Sequence, residues 1–263
     1  MKNFIVTLLA IACFAILIAG NVHWRTLGAK EEGNPTATAV KPPEKTAVTE
    51  KAAPRWEFED ATVNWPADSR ESFQNAMEAK RPFKIVFAGS DALGKEPDGW
   101  AFLLKNELVS TYGEKNIEIT VVETNTNTRD ALTAEWQKEI IDSGADMVVW
   151  EPFLLNDNGE VFMEESLRNI TTIIEEVNAE LPDTVFILQP ANPIFKPKYY
   201  LTQVQELETY TEEKGLDYLN HWEEWPDPNS EEIKSYLNLQ TSQPNAEGHK
   251  LWGEYLIKYF TGK

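Results

Sequence analysis

The stretch "FAGSDALG" at residues 87–94 combines an apolar run with two side chains that can do chemistry. The run ends in a turn bracketed by Gly89 and Gly94, and Ser90 and Asp91 stand side by side inside it. In α/β proteins, a turn directly after a strand is a frequent position for a catalytic nucleophile. A serine hydroxyl needs an adjacent base before it can attack, and a carboxylate nucleophile needs a base that activates water. These two residues alone leave open which of them, if either, does chemistry.

Polar side chains also follow two later apolar runs. Asn125 and Asn127 come after the second run, and Asn156 and Asp157 come after the third. Parallel strands end at one edge of their sheet, and ligands of doubly wound folds bind outside that edge. We therefore expect these side chains to lie near Ser90, and we take Asn125, Asn127 and Asp157 as candidate substrate-binding residues.

The elements that must position these residues alternate between short apolar runs and amphipathic windows. We predict strands at 84–88, 118–123, 147–152, 185–189 and 217–219. We predict helices near 69–79, 100–112, 129–143, 163–181, 198–214, 230–237 and 245–259. This alternation predicts a doubly wound, three-layer α/β fold with a parallel sheet.

The beginning of the chain has a different character. Residues 4–22 are almost wholly apolar, and about 19 residues at 1.5 Å each nearly span a hydrocarbon core of about 30 Å. We predict an uncleaved membrane anchor within residues 1–25, with a cleaved signal peptide or a lipid-modified Cys13 as alternatives. Residues 26–55 carry no aromatic side chain and are predicted to be a disordered linker. Residues 56–263 would then form a single domain that faces the outside of the cell.

Charge and cysteine content exclude several functions for this domain. Residues 56–263 hold 39 acidic and 17 basic side chains, a net charge of −22. Such a charge repels nucleic acid, anionic lipid and polyphosphate. Cys13 is the only cysteine, so the domain has no disulfide, no thiol nucleophile and no cysteine zinc site. We expect no cofactor and no metal.

Three stretches carry a family resemblance over roughly residues 83–260. They are "IVFAGSDALG" followed by "GWAFLLKNEL", then "ADMVVWEPFLLNDNG", and last "QPNAEGHKLWGEYL". Together they resemble the SGNH, or GDSL-type, hydrolases. The resemblance implies a flavodoxin-like α/β/α sandwich. It also implies ester or acetyl-ester hydrolysis on carbohydrates or cell-envelope polymers.

The family motif usually reads Gly-Asp-Ser at the first stretch, with the serine as nucleophile. Here Gly89 matches the glycine, Ser90 falls at the aspartate position and Asp91 at the nucleophile position, so the pair is inverted. Asn156 matches the asparagine that donates its amide to the oxyanion. The second stretch of the family supplies a glycine amide to the same site, and here only an amide of residues 125–128 could replace it.

The last family stretch usually reads Asp-x-x-His-Pro-Asn, in which the histidine is the base. Gln243 stands at the histidine position and Gln240 at the aspartate position, while His249 matches a second histidine that is usually structural. Glutamine cannot accept and return a proton as imidazole does. His221 follows a predicted strand and is the alternative base, although its neighbour Trp222 is typical of a packing site.

The carboxylates of Asp91, Glu151 and Asp157 suggest other classes. A pair about 5–10 Å apart would suit a glycosidase, and a cluster could hold a divalent cation. Glu151, which precedes a proline, is more typical of a hydrogen-bonded turn residue. Two main hypotheses follow. One is a membrane-tethered hydrolase-like protein with weak or lost esterase activity, in which Gly89 and Gln243 also contact substrate. The other is a non-catalytic module that binds a glycan or a partner protein.

Overall fold

The computed structural model of the protein describes residues 58–263. The predicted anchor at 1–25 and the predicted linker at 26–55 lie outside the described residues. Between residues 58 and 263, none of the helices has both the length and the apolar character that crossing a bilayer requires.

Five parallel strands form one sheet in the described part of the chain. They are β1 (Phe83–Gly89), β2 (Ile117–Glu123), β3 (Met147–Trp150), β4 (Val185–Leu188) and β5 (Asp217–Tyr218). Their order is β2-β1-β3-β4-β5, and every neighbouring pair is parallel. This order reverses direction between β1 and β3, which creates a crevice at their carboxyl ends. The five predicted strands are confirmed, with bounds correct to within two residues.

Eight helices and three 3₁₀ turns connect these strands or follow them within residues 58–263. The helices are α1 (Ala67–Glu78), α2 (Trp100–Tyr112), α3 (Thr128–Thr133), α4 (Gln137–Ser143), α5 (Leu154–Asp157), α6 (Met163–Glu180), α7 (Tyr200–Lys214) and α8 (Ala246–Thr261). The 3₁₀ turns are Asp91–Leu93, His221–Glu224 and Glu231–Tyr236. The helix predicted at 230–237 is therefore a 3₁₀ turn.

The prediction of one continuous helix at 129–143 is wrong. The chain turns between α3 and α4, where Glu135 adopts a left-handed conformation with φ of 55°. The turn brings Trp136 into the core, with its ring 4.9 Å from that of Phe153 and 5.8 Å from that of Trp150. Burial of this indole favours the interrupted helix over the continuous one.

Helices cover both faces of the sheet, and the central strands β1 and β3 are buried along almost their whole length. In β1, Phe83, Ile85 and Phe87 face a core shared with α1, α2 and α8. Val86 and Ala88 face a second core on the other side, with α3, α4, α6 and α7. The predicted three-layer α/β architecture is confirmed for the described residues.

Candidate functional site

The turn after β1 is shaped by a close approach at Gly89. A Cβ atom at Gly89 would lie 2.5 Å from Leu93 Cδ1 and 3.0 Å from Glu151 Cβ. Only glycine therefore fits between the 3₁₀ turn and the residue that follows β3. The carboxyl end of β1 is held tightly against that of β3, as the doubly wound order requires.

Ser90 lies inside this turn, with 1% of its surface exposed. Its hydroxyl oxygen accepts a hydrogen bond from the Ala92 amide at 3.2 Å, and its own amide donates to Glu151 Oε2 at 2.8 Å. The side chain thus caps the 3₁₀ turn Asp91–Leu93. This is the usual role of a serine at the start of a helical turn.

Glu151 is completely buried at the end of β3. Burial raises the pKa of its carboxyl group to about 7, and the negative charge of Asp91 acts in the same direction. Hydrogen bonds from Ser90 and from the Phe153 amide offset part of that rise. The prediction of Glu151 as a hydrogen-bonded turn residue is confirmed by its bond to the Ser90 amide.

Asp91 and Gln243 meet at the position that a nucleophile and its base occupy in the family motif. Gln243 Nε2 donates a hydrogen bond to Asp91 Oδ1 at 2.8 Å, across 152 positions of sequence. Both side chains are half-buried. Gln243 Oε1 is buried and has no hydrogen-bond partner among the described residues. Gln240 is exposed, and its amide nitrogen donates to Asn238 Oδ1.

The amide of Asn156 is bound to the loop after β2. Its Nδ2 donates to Thr126 O at 2.9 Å and to Asn125 Oδ1 at 3.2 Å. A side-chain amide carries two hydrogens, so both are engaged here. The structure brings Asn156 and Asn125 together as expected, but it aims the amide at the loop.

Asp157 and Asn127 both cap α3. Asp157 is buried, and its two oxygens accept from the Thr128 amide at 2.8 Å and from the Thr128 hydroxyl at 2.9 Å. Burial raises the pKa of Asp157, and hydrogen bonds from Ser166 and Thr128 offset part of the effect. Asn127 accepts from the Asp130 amide at 2.9 Å. Both residues, predicted as substrate contacts, therefore hold the helix that follows β2.

His221 is held in an aromatic cluster. Its ring stacks on Trp252 with centroids 4.0 Å apart and planes within 6°. Its Nδ1 accepts from Trp225 Nε1 at 3.0 Å, so its Nε2 carries the hydrogen and donates to Pro190 O at 2.9 Å. Burial lowers the pKa of His221 to about 3. With both nitrogens engaged and no exposed surface, the neutral ring serves packing.

His249 lies under the same turn as Ser90, from the α8 side. A Cβ atom at Gly94 would come within 2.6 Å of His249 Cε1, so the ring packs directly against the glycine. Burial lowers the pKa of His249 to about 4, and Asp98 partly opposes this. His249 Nδ1 is buried without a partner among the described residues.

Each of the three carboxylates considered for a glycosidase or cation site is bound to a different neighbour. Asp91 is bound to Gln243, Glu151 to Ser90, and Asp157 to Thr128. Between residues 58 and 263, no three His, Cys, Asp or Glu side chains gather in a way that could hold a metal ion.

The contact that the sequence did not reveal is the one between Glu151 and Ser90. A polar residue directly after the apolar run "MVVW" is its only sequence signal. Gln189 gives the same signal after "VFIL", and its Oε1 accepts from Trp252 Nε1 at 2.9 Å. Buried polar side chains that directly follow apolar strands thus mark this edge of the sheet.

Comparison with solved structures shows one consistent fold. A GDSL-like lipase of Parabacteroides merdae aligns with a TM-score of 0.56 and 11% identity, over 69% of this chain and 96% of that one. A lipolytic protein of the G-D-S-L family from Desulfitobacterium hafniense aligns with a TM-score of 0.53 and 20% identity, over 67% of this chain and 99% of that one. An acetylxylan esterase of Geobacillus stearothermophilus aligns with a TM-score of 0.53 and 14% identity, over 68% of this chain and 94% of that one.

No protein-family model matches the sequence, and no curated protein matches it. The structural likeness, at these low identities, concerns the fold. The chain has the SGNH hydrolase fold, and the resemblance carried by its three sequence stretches is confirmed at that level.

Proposed function

We propose that this protein binds a carbohydrate, or an acyl ester of one, at the carboxyl edge of β1 and β3 and does not turn it over by a serine mechanism. The observation that carries the proposal is the bond from Gln243 Nε2 to Asp91 Oδ1 at 2.8 Å. An amide and a carboxylate occupy the positions where the family motif has a base and a nucleophile.

The chemistry of this pair supports binding over turnover. An amide that donates to a carboxylate cannot take a proton from an attacking hydroxyl, and it cannot return one to a leaving group. The oxyanion position gives the same indication, because both hydrogens of the Asn156 amide are bound to the β2 loop. Removal of triad members leaves only the modest acceleration that binding and the oxyanion donors supply.

The ligand class is proposed from two features. The first is the fold shared with an acetylxylan esterase. The second is a pair of exposed aromatic side chains, Phe162 in the connection after β3 and Tyr199 in the connection after β4, which are 86% and 77% exposed. Aromatic faces suit the apolar faces of sugar rings.

The location is proposed from the sequence alone. The apolar residues 4–22 support an anchor in the cell membrane, with the domain outside the cell. A protease added to intact cells should then digest the domain, and digestion only after cell lysis would contradict this location.

Binding of an acetylated xylo-oligosaccharide tests the proposed function. We expect calorimetry on the full-length protein to show binding, with no acetate released. Asp91→Ala and Gln243→Ala should weaken that binding. Gln240→Ala changes an exposed glutamine of the same loop and should have little effect. Binding that is absent, or that is unchanged in both site variants, would contradict the proposal.

Hydrolysis with Ser90 as nucleophile is the second candidate. The observation that favours it is the closeness of Ser90, through its backbone amide, to Glu151, a buried carboxyl whose pKa of about 7 is in the range of a general base. Its weakness is the 1% exposure of Ser90. Acetate release by the wild type that Ser90→Ala abolishes would favour this candidate.

A further inference from the structure

The Glu151 carboxylate is placed directly against the backbone of the candidate site. Glu151 Oε2 accepts from the Ser90 amide at 2.8 Å, and the Glu151 amide donates to Ala88 O at 2.9 Å. A Cβ atom at Gly89 would lie 3.0 Å from Glu151 Oε2, so no side chain can stand between the carboxylate and the turn. One carboxyl group thus supports the residue before Asp91.

Among residues 58–263, the groups that face this carboxylate give it no positive partner. On the turn after β1 the charge is that of Asp91, which has the same sign, and on α7 the titratable group is the Tyr200 phenol. After β4, the backbone amide of Gln189 donates to Trp150 O at 3.0 Å, and its side chain is uncharged. A buried carboxylate without a cation gains or loses its proton according to its hydrogen bonds and burial.

We propose that Glu151 is a proton-operated latch on the Ser90–Asp91 turn, which its ionised carboxylate holds firmly through the Ser90 amide and its protonated form holds weakly. The effect of this latch on ligand binding rests on the proposed function, whereas its effect on the Ser90–Asp91 turn is independent of that function.

The two protonation states differ in the bond that they make to Ser90. An ionised carboxylate accepts a charge-assisted hydrogen bond, which is roughly twice as strong as a neutral one. A proton on Oε2 would place two donors opposite each other and break the bond. A proton on Oε1, which is buried and has no hydrogen-bond partner among the described residues, would leave Oε2 as a neutral and weaker acceptor.

The latch operates in a useful range of pH. Burial raises the pKa of Glu151 to about 7, so a change of one unit on either side of neutrality changes its charge. Asp91 directly follows Ser90, and its bond to Gln243 depends on where the turn places it. We therefore expect the geometry of the Asp91–Gln243 pair to follow the protonation of Glu151.

Nuclear magnetic resonance of the full-length protein tests the latch at the atom concerned. We expect the Ser90 amide proton of the wild type to shift downfield in one step as the pH rises, with a midpoint near 7. Glu151→Gln keeps the shape of the side chain and should abolish the step. Asp157→Asn is the matched control, because Asp157 is also buried and accepts a backbone amide, that of Thr128. It should leave the Ser90 step in place.

Each outcome separates the latch from the proposed function. The latch is overturned if the chemical shift of the Ser90 amide proton stays constant between about pH 5.5 and 8.5. It is also overturned if the step in this shift persists in Glu151→Gln. With an acetylated xylo-oligosaccharide as probe, we expect wild-type affinity severalfold weaker at the acid end and Glu151→Gln affinity unchanged across this range. A Ser90 step without ligand binding leaves the latch standing and removes the proposed function. Ligand binding without a step in the Ser90 amide shift overturns the latch and leaves the proposed function standing.

Discussion

The two halves of the carboxyl edge use similar polar residues in opposite ways. At β1, β2 and β3, the polar side chains are bound to one another and to loop backbone, as in the pair of Asp91 with Gln243. At β4 and β5, the ring of His221 is enclosed by Trp225 and Trp252 and is completely buried. The first half leaves the Asp91–Gln243 pair half-buried, whereas the second half encloses the His221 ring and uses it to stabilise the fold.

The difference shows why His221 does not supply a base at the β1 half. The histidine that could serve as a base is at the β5 end, where both of its nitrogens are engaged. Gln243, which the sequence resemblance aligns with the base, is in the β1 half, where it donates to Asp91. Four predictions separate the two halves, and the largest effect belongs to the aromatic one.

His221→Ala should reduce the free energy of unfolding by about 3 kcal/mol or more. The change removes a ring stacked on Trp252 and leaves Trp225 Nε1 and Pro190 O without partners. Urea denaturation near pH 8, where the wild-type ring is neutral, measures the loss. A loss below about 1 kcal/mol would show that the β5 half is not held by this cluster.

Glu151→Gln should change how stability depends on pH. The fold raises the pKa of Glu151 from 4.5 to about 7, so its contribution to stability is full below about pH 4.5 and declines until about pH 7. The free energy of unfolding of the glutamine variant should therefore rise relative to that of the wild type as the pH rises through this window, by roughly 3 kcal/mol at most. Urea denaturation at several pH values measures the difference.

His221 makes stability depend on pH in the opposite direction to Glu151, and it serves as a control for that experiment. Its pKa falls from 6.5 to about 3, so its contribution is full above about pH 6.5 and is lost as the pH falls toward 3. The two groups offset each other between about pH 4.5 and 6.5 in the wild type. A difference curve for Glu151→Gln that is flat, or that slopes the other way, would contradict the assignment of Glu151.

Asp157→Asn should reduce the free energy of unfolding by about 1–2 kcal/mol. The variant replaces a carboxyl group whose two oxygens accept from the amide and the hydroxyl of Thr128. Chemical denaturation measures the loss, and hydrogen exchange of the α3 amides should locate it. Unchanged protection in α3 would show that Asp157 does not hold this helix.

Gln243→Ala should change stability least, by less than about 0.5 kcal/mol, because the side chain is half-buried and leaves Asp91 open to water. Its effect should appear in ligand affinity. If this variant loses as much stability as His221→Ala, the two halves of the edge do not differ in the way described.

The sequence predicts the elements better than the contacts between them. The apolar runs and their alternation with amphipathic windows predict all five strands within two residues. They also place Ser90, Asp91 and Asn156 at the correct edge. The break near Glu135 escapes prediction because the burial of Trp136 in the tertiary structure decides it.

The partners of the site residues are decided by long-range packing. Gln243 reaches Asp91 across 152 positions, and no local pattern reports such a bond. The neighbouring tryptophans do indicate that His221 is a packing residue, but its stacking on Trp252 depends on where α8 docks. The sequence resemblance predicts which residues align with the family motif, and only the structure shows what these residues bind.

Hydrolysis of a short-chain activated ester tests the central claim most directly. The full-length wild type should be compared with Ser90→Ala and Asp91→Ala at about pH 8. We expect all three to match the rate in buffer, because the Asp91–Gln243 pair offers no base. Turnover by the wild type that either substitution abolishes would contradict the claim and identify the nucleophile.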